Sequence, residues 1–322
     1  MLVQSEDDKR EMLRQIRRIQ VRTDRMVTDV MTGGYTSVFR GAGIEFDEVR
    51  EFAEGDDVRS VDWNVTARTG RPHVKKFMEE RELSVVLLLD VSPSADFGTD
   101  PRPAPAAAAG ARTGAGAGER LRARSVRETA ALVCGCIAFA AARNNDKAGM
   151  ITFTDRVERY VPAEKGRRHV LRLIREAWAQ ERAGNGTDIA AALQFAGRIQ
   201  RRRAVLFVVS DFFAPVPERE LRLLGRRHDL IAVRIRDAHS EALPAAGLLR
   251  LRDPETGRAV MVDSSSRRVR EALAQRVQKE RAAFDEACRR ARVDVFDVPT
   301  RGSVADPIVR FFRMRERRGG RR

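Results

Sequence analysis

Three apolar runs that end in an acid constrain this chain more than any other feature. They are SVVLLLD (84–90), AVLFVVSD (204–211) and LIAVRIRD (230–237). Each is nearly continuous in hydrophobic residues rather than alternating, as a strand buried on both faces of a sheet requires. Helical patterns separate them: an apolar stretch near 124–143, then segments near 167–180 and 188–202. AGMITF (148–153) and ERYVP (158–162) read as a hairpin, as does LLRLRDPETGRAVMVD (248–263). A charged helix at 267–292 and a last strand, VDVFDV (293–298), close the series. Alternation of this kind predicts a mostly parallel, doubly wound α/β sheet of Rossmann type with helices on both faces.

The N-terminal third differs. Residues 9–31 carry Met12, Ile16, Ile19, Val27 and Val30 at helical spacing, which predicts an amphipathic lead-in helix. GIEFDEV and HVKKF, separated by turn residues within 35–82, predict a small strand/loop subdomain. The expected boundaries are therefore 1–82 for the N-terminal segment, 83–316 for the α/β domain and 317–322 for a basic tail. Residues 100–119, rich in Pro, Ala and Gly, are expected to form a flexible insertion.

Parallel sheets bind ligands where loops leave the carboxyl ends of their strands. The first strand there runs into Asp90-Val-Ser92-Pro-Ser94, and the second ends Ser210-Asp211. A glycine-rich loop before a helix supplies Gly186-Thr187-Asp188. In the predicted sheet, two carboxylates and three hydroxyls converge on one edge. All are hard oxygen donors with no imidazole or thiolate among them, which suits Mg²⁺ or another hard divalent cation rather than zinc or copper. Such a set leaves a coordination position for an outside carboxylate. A plainer reading stands beside it. Ser92 and Ser94 also fit as turn residues, Thr187 or Asp188 as a helix N-cap, and Asp90 and Asp211 as acidic strand ends.

These residues resemble a known pattern. Asp90-x-Ser92-x-Ser94, Thr187 and Asp211 are similar to the metal-ion-dependent adhesion site of von Willebrand factor A-like domains. A longer stretch, FRGAGIEFDEVREFAEGDDVRSVDWNVTARTGRPHVKKFMEERE (39–82), resembles the signature of the bacterial domain-of-unknown-function 58 family, which places that segment directly before an A-like domain. The resemblance implies Asp90, Ser92, Ser94, Thr187 and Asp211 as metal ligands, with a partner's Glu or Asp completing the shell. It implies a protein-interaction module working with a MoxR-type AAA+ ATPase or its client in chaperone-like assembly or remodelling. Ala95 departs from the commonest form, in which a methionine follows the second serine, and Pro93 lies inside the motif. Neither change removes an oxygen donor. Asp96 reads as a turn residue or an outer carboxylate.

The 39–82 segment also carries a polar cluster of Glu45, Glu48, Arg50, Asp56, Asp57, Arg59, Asp62, Trp63 and Arg68. It reads as an ion-paired lid anchored by Trp63, or as a docking face for the partner.

Charge offers a rival class. Lys and Arg total 61 against 46 Asp and Glu, a net charge of +15, and only six of the 61 are lysine. Such a surplus fits nucleic-acid binding. However, aromatics total only 6%, no binding motif is present, and the arginine doublets mostly fall at helix ends, where cations suit the helix dipole. A metal-dependent phosphatase is the other alternative, because Asp90 ends a strand. Ser92 stands where those enzymes need a second Asp. No complete catalytic constellation is found: the four histidines lie in charged, loop-like contexts, and neither a P-loop nor G-x-G-x-x-G follows a strand. Three cysteines form no disulfide framework and read as small core residues, Cys134 and Cys136 among them. No apolar run reaches the ~20 residues of a membrane span. With no signal-like N-terminus, these features predict a cytoplasmic protein.

Overall fold

The computed structural model describes residues 45–53, 56, 61–78, 83–96, 124–179 and 182–319. The expected helix at 9–31, the 100–119 insertion and the last residues of the tail lie outside that set. The chain divides into two compact units, one of them Phe39–Leu83 and the other built on Ser84–Arg322.

In the smaller unit, β1 (Glu45–Glu51) pairs antiparallel with β2 (His73–Met78), matching the two strand-like segments read from the sequence. Between them lies α1 (Trp63–Thr69). Its N-cap is Asp62, whose carboxylate accepts from the Asn64 and Val65 amides, and Gly70 ends it at φ +72°. This left-handed C-terminal position is one that glycine fills without strain. Arg50 grips Asp56 through both carboxylate oxygens, at 2.6 and 2.8 Å. Trp63, the first residue of α1, is 68% exposed. Asp57 and Arg59 lie outside the described residues.

The larger unit holds a six-stranded sheet. Its strands are β3 (Ser84–Asp90), β4 (Lys147–Phe153), β5 (Val157–Glu164), β6 (Val205–Ser210), β7 (Asp229–Arg236) and β10 (Asp294–Pro299). Their order is β10-β7-β6-β3-β4-β5, parallel throughout except for the antiparallel edge strand β5. The doubly wound fold expected from the apolar runs is present. β8 (Leu248–Arg252) and β9 (Ala259–Asp263) form a separate hairpin.

Alternation along β3 sends side chains to two apolar layers. Val86 and Leu88 join Ile189, Leu193, Leu221, Leu224 and Phe284 in one cluster. The helices on that side are α4 (Ile189–Ile199), α5 (Glu218–Arg227) and α7 (Arg267–Ala291). The remaining helices are α2 (Val126–Arg143), α3 (Arg167–Ala179), the single turn α6 (Ala238–Glu241) and α8 (Ala305–Gly319). α2 is buried almost all round, the expected state of a helix with apolar residues on every face. Ser125 starts it with a reciprocal capping box to Glu128, which typically contributes about 1 kcal/mol. Cys134 and Cys136 are packed inside it, and burial pushes the Cys136 thiol up to about 12, so neither is a reactive thiolate near neutrality.

Two sequence expectations need correction here. His169 and His228 are buried rather than loop-like. His169 shares a 2.9 Å hydrogen bond between Nε2 and the Ala148 carbonyl, while His228 caps the end of α5. The basic C-terminal residues Arg317 and Arg318 belong to the last turn of α8. Among the described residues, no helix is long and apolar enough to cross a membrane.

Candidate functional site

The order of the sheet determines where a ligand would sit. After β3 the chain crosses to β4 on one side, and β6 flanks β3 on the other, so the winding reverses between β3 and β6. The loops leaving those two strands diverge at that point and leave a crevice. Asp90 is the last residue of β3, and Asp211 follows the last residue of β6.

Asp90 is 3% exposed. One carboxylate oxygen accepts from the Ser92 amide at 2.9 Å, and the other accepts from the Ser210 hydroxyl at 2.6 Å. The chain then tightens into a 3₁₀ turn, Pro93–Asp96, which brings Ser92 Oγ within 2.9 Å of Ser94 Oγ. Ser94 also hydrogen-bonds Asp211. The turn-residue reading of the serines therefore describes part of what they do, but both hydroxyls also lie among the acids. Asp96 turns away and pairs with Arg182 at 2.5 Å and Arg127 at 3.4 Å.

The Asp211 loop is strained. Phe212 has φ +57°, a left-handed conformation rarely taken by a bulky residue, and ordinarily costing about 1–2 kcal/mol. Three contacts hold it there. Its amide donates to Ser210 Oγ at 3.0 Å, the Phe213 amide donates to Asp211 at 3.1 Å, and its ring packs 4.3 Å from that of Phe284. Strain of this kind persists only where surrounding contacts fix it, and it concentrates at functional sites.

Thr187 arrives from a third loop, which is fitted tightly against the 154–158 turn. A Cβ on Gly184 would stand 2.1 Å from both Thr154 Oγ1 and Asp155 Oδ1, so only glycine fits. The Gly184 amide donates to Glu158 at 2.8 Å, and the Asp188 amide donates to the Thr154 carbonyl at 2.8 Å. Asp188 is the N-cap of α4, accepting from the Ala191 amide at 2.9 Å, so the plainer reading holds for that residue. Thr187 does something else. Its hydroxyl donates to Glu255 Oε1 at 2.6 Å across 68 residues of sequence.

Glu255 sits at the tip of the β8–β9 hairpin and was not anticipated. The hairpin was legible as alternating residues around a turn, but nothing local indicates where its tip lands. From sequence, Ser210, the hydroxyl that binds Asp90, reads only as a strand end.

The electrostatics follow from this crowding. Burial raises the Asp90 carboxyl above the usual carboxylate range against the opposing bonds from Ser210 and Ser92, and the Glu255 charge adds to the rise. Burial, then the Asp90 charge, raises Asp211 to about 6; the Phe213 amide and Ser94 oppose this, and Glu255 adds to it. Among the described residues, no Lys or Arg forms an ion pair with Asp90, Asp211 or Glu255, although 61 such residues are in the chain. Nor do His, Cys, Asp and Glu form by themselves a group of three or more arranged to hold a metal ion. A cation here would need the hydroxyls of Ser92, Ser94 and Thr187 beside the carboxylates. The donors present are all hard oxygens, a chemistry that fits Mg²⁺.

Comparison with known proteins gives a family but no activity. A family model described as "Protein of unknown function DUF58" matches residues 48–113 and 117–283. Uncharacterized protein Mb1516 of Mycobacterium bovis is 31% identical over 307 residues, covering 94% of this chain and 89% of that protein. Uncharacterized protein Rv1480 of Mycobacterium tuberculosis matches to the same extent. Among solved structures, the conserved hypothetical protein BatB from Bacteroides thetaiotaomicron aligns with a TM-score of 0.43 at 14% identity, covering 74% of this chain and all of that one. The SpRpn10 VWA domain aligns at 0.34 and 13%, covering 71% and 94%.

Proposed function

This chain belongs to the family described as proteins of unknown function DUF58, and on that premise we propose that its larger unit is a metal-dependent protein-interaction module. Asp90, Ser92, Ser94, Thr187 and Asp211 would hold Mg²⁺ at the carboxyl edge of the sheet. The ion would supply a positive charge able to accept a carboxylate from outside. The observation that carries this reading is that Asp90, Asp211 and Glu255 act on one another while, among the described residues, no arginine or lysine pairs with them, in a chain with 61 Lys and Arg. Buried like charges raise one another's pKa, and a cation from solution would relieve that cost.

The residues of the chain have separable tasks. Ser210 and the Ser92 amide hold the Asp90 carboxylate in one orientation. The left-handed turn at Phe212 fixes the loop that carries Asp211. Gly184 lets the third loop lie against the 154–158 turn, and so sets the position of Thr187. The resemblance of the 39–82 signature supplies the partner class proposed here, a MoxR-type AAA+ ATPase or its client.

Thermal unfolding in Mg²⁺ and in EDTA tests the reading. At a concentration a hundredfold above its dissociation constant, a ligand of the folded state stabilises by about 2.7 kcal/mol. For a domain of this size that is a rise of roughly 5–10 °C. Asp90→Ala should fold, show no Mg²⁺ shift and fail to retain the partner. Equal melting temperatures in Mg²⁺ and EDTA for the unaltered protein, with partner capture intact in EDTA, would overturn the metal mechanism.

A further inference from the structure

The β8–β9 hairpin is oddly placed for a structural element. A two-stranded hairpin is marginal on its own, and this one is outside the main sheet, with Leu248, Leu251, Val260 and Met261 all exposed. Its base is clamped: the buried Ser264 hydroxyl donates to the Gly247 carbonyl at 2.7 Å and accepts from the Ala246 amide at 3.0 Å. Every residue from 250 to 261 is exposed except Glu255, which is half-buried. The burial pattern of a hairpin tip is thus inverted, with the charged residue turned inward while its apolar neighbours face solvent.

The tip is shaped to present that residue. The Asp253 carboxylate accepts from the Glu255 amide at 2.9 Å and from the Thr256 hydroxyl at 2.6 Å, and Gly257 closes the turn at φ +70°. Glu255 then accepts the proton of Thr187 Oγ1, which leaves the lone pairs of that hydroxyl free for another partner. Its charge also acts on both Asp90 and Asp211, so it lies on their side of the crevice.

Resting on the metal reading above, we propose that Glu255 is an internal carboxylate ligand group of the site. It takes the place that an acidic side chain from a partner would take, so a partner competes with the hairpin tip. Capture of a partner then requires the tip to leave Thr187, while the clamp at Ser264 keeps the hairpin attached.

The test uses the full-length protein with Mn²⁺ as the probe, reading affinity by calorimetry and metal-bound water by water-proton relaxation. Asp90→Ala should lose Mn²⁺ binding. Glu255→Ala should keep binding, about tenfold weaker, with relaxation enhanced by an additional exchanging water. Amide exchange over 253–258 should also accelerate in Glu255→Ala while exchange in β3 and β6 stays unchanged. If the unaltered protein does not bind Mn²⁺, or Asp90→Ala binds it as well as the unaltered protein, the metal site itself is wrong and the Glu255 assignment falls with it. If Asp90→Ala loses binding but Glu255→Ala keeps the original affinity and hydration, the metal site stands and the Glu255 assignment is overturned.

Discussion

Two clusters of acids lie at adjacent places in the same sheet and are treated in opposite ways. Around β7 and β10, Asp285, Asp297 and Glu241 each meet an arginine. Arg234 binds Asp285 at 2.9 Å and Asp297 at 2.8 Å; Arg236 binds Asp297 and takes Glu241 with both nitrogens; Arg281 also reaches Glu241. One strand away, Ser210 is the register partner of Arg234, yet among the described residues no such cation pairs with Asp90 or Asp211 just beyond it. The acids respond accordingly. Glu241 is held down at about 2 by its two arginines against the opposing effect of burial, whereas Asp211 is pushed up to about 6. A chain with this much arginine had the means to neutralise both clusters and neutralised one. A cation bound as proposed at the β3–β6 crevice would account for the difference.

The contrast is broken most severely by removing the cation from the paired cluster. Arg234 is buried, and Arg234→Met leaves Asp285 and Asp297 facing an apolar side chain. Stripping one partner from a buried ion pair typically costs 3–5 kcal/mol. Here the figure should be about 3, because Asp285 is half exposed and Asp297 retains Arg236. Urea unfolding would show the loss as a lower midpoint at unchanged slope, and it should not depend on Mg²⁺.

The unpaired cluster should respond in the other direction. Asp211 has a folded pKa near 6, above its ordinary 3.8, so the metal-free native state binds the extra proton. Its contribution to stability is fully present below 3.8 and is lost as pH rises through 6. Asp211→Asn should therefore stabilise the EDTA-treated protein by roughly 2 kcal/mol at pH 8, by almost nothing at pH 4, and should abolish the Mg²⁺ shift. His228 supplies the opposing slope. Burial, with Arg227 and Arg203 nearby, lowers its pKa to about 4, so its contribution is present above 6.5 and lost as pH falls toward 4. The two nearly cancel in the unaltered protein, giving a shallow profile between pH 4 and 6. In Asp211→Asn the Asp211 slope is removed, and stability should fall more steeply on acidification.

How much of this the sequence reveals depends on the range of the forces involved. Strands that must be buried on both faces are visible as apolar runs, and helices as 3.6-residue spacing, so the sheet and its carboxyl edge were legible. Position at a strand end was not enough to sort the acids. Asp90, Asp211 and Asp237 all close apolar runs, but Asp237 accepts from Thr300 at 2.6 Å and caps the short turn α6. Glu255 was invisible because its contact spans 68 residues and leaves no periodic trace. The buried histidines were misplaced for a similar reason: charged neighbours in sequence are not neighbours in the core.

A middle-sized effect probes the scaffold of the unpaired site. Gly184→Ala inserts a methyl group 2.1 Å from two side-chain oxygens, on a loop whose amides are held by Glu158. The loop must move, and overpacking of this type costs about 1–3 kcal/mol. Because Thr187 rides on the same loop, the displacement should also weaken Mg²⁺ binding, which a surface change of equal stability cost would leave alone. Calorimetric titration of the variant separates the two outcomes.

The smallest effect belongs to the arginine excess itself. Arg276 pairs with Glu280 one helical turn away on α7, with the arginine side chain 77% exposed. Such pairs are worth about 0.3–0.5 kcal/mol and are screened by salt. Arg276→Ala should fall within that range in low salt and become indistinguishable from the unaltered protein at ~1 M salt. The Asp211→Asn stabilisation, arising mainly from burial of the carboxyl, should survive the same salt. A net charge of +15 spread over exposed pairs thus acts as a diffuse field, able to hasten the approach of an acidic surface. Under the metal reading proposed above, such a surface would be held at the ion beside Asp90 and Asp211.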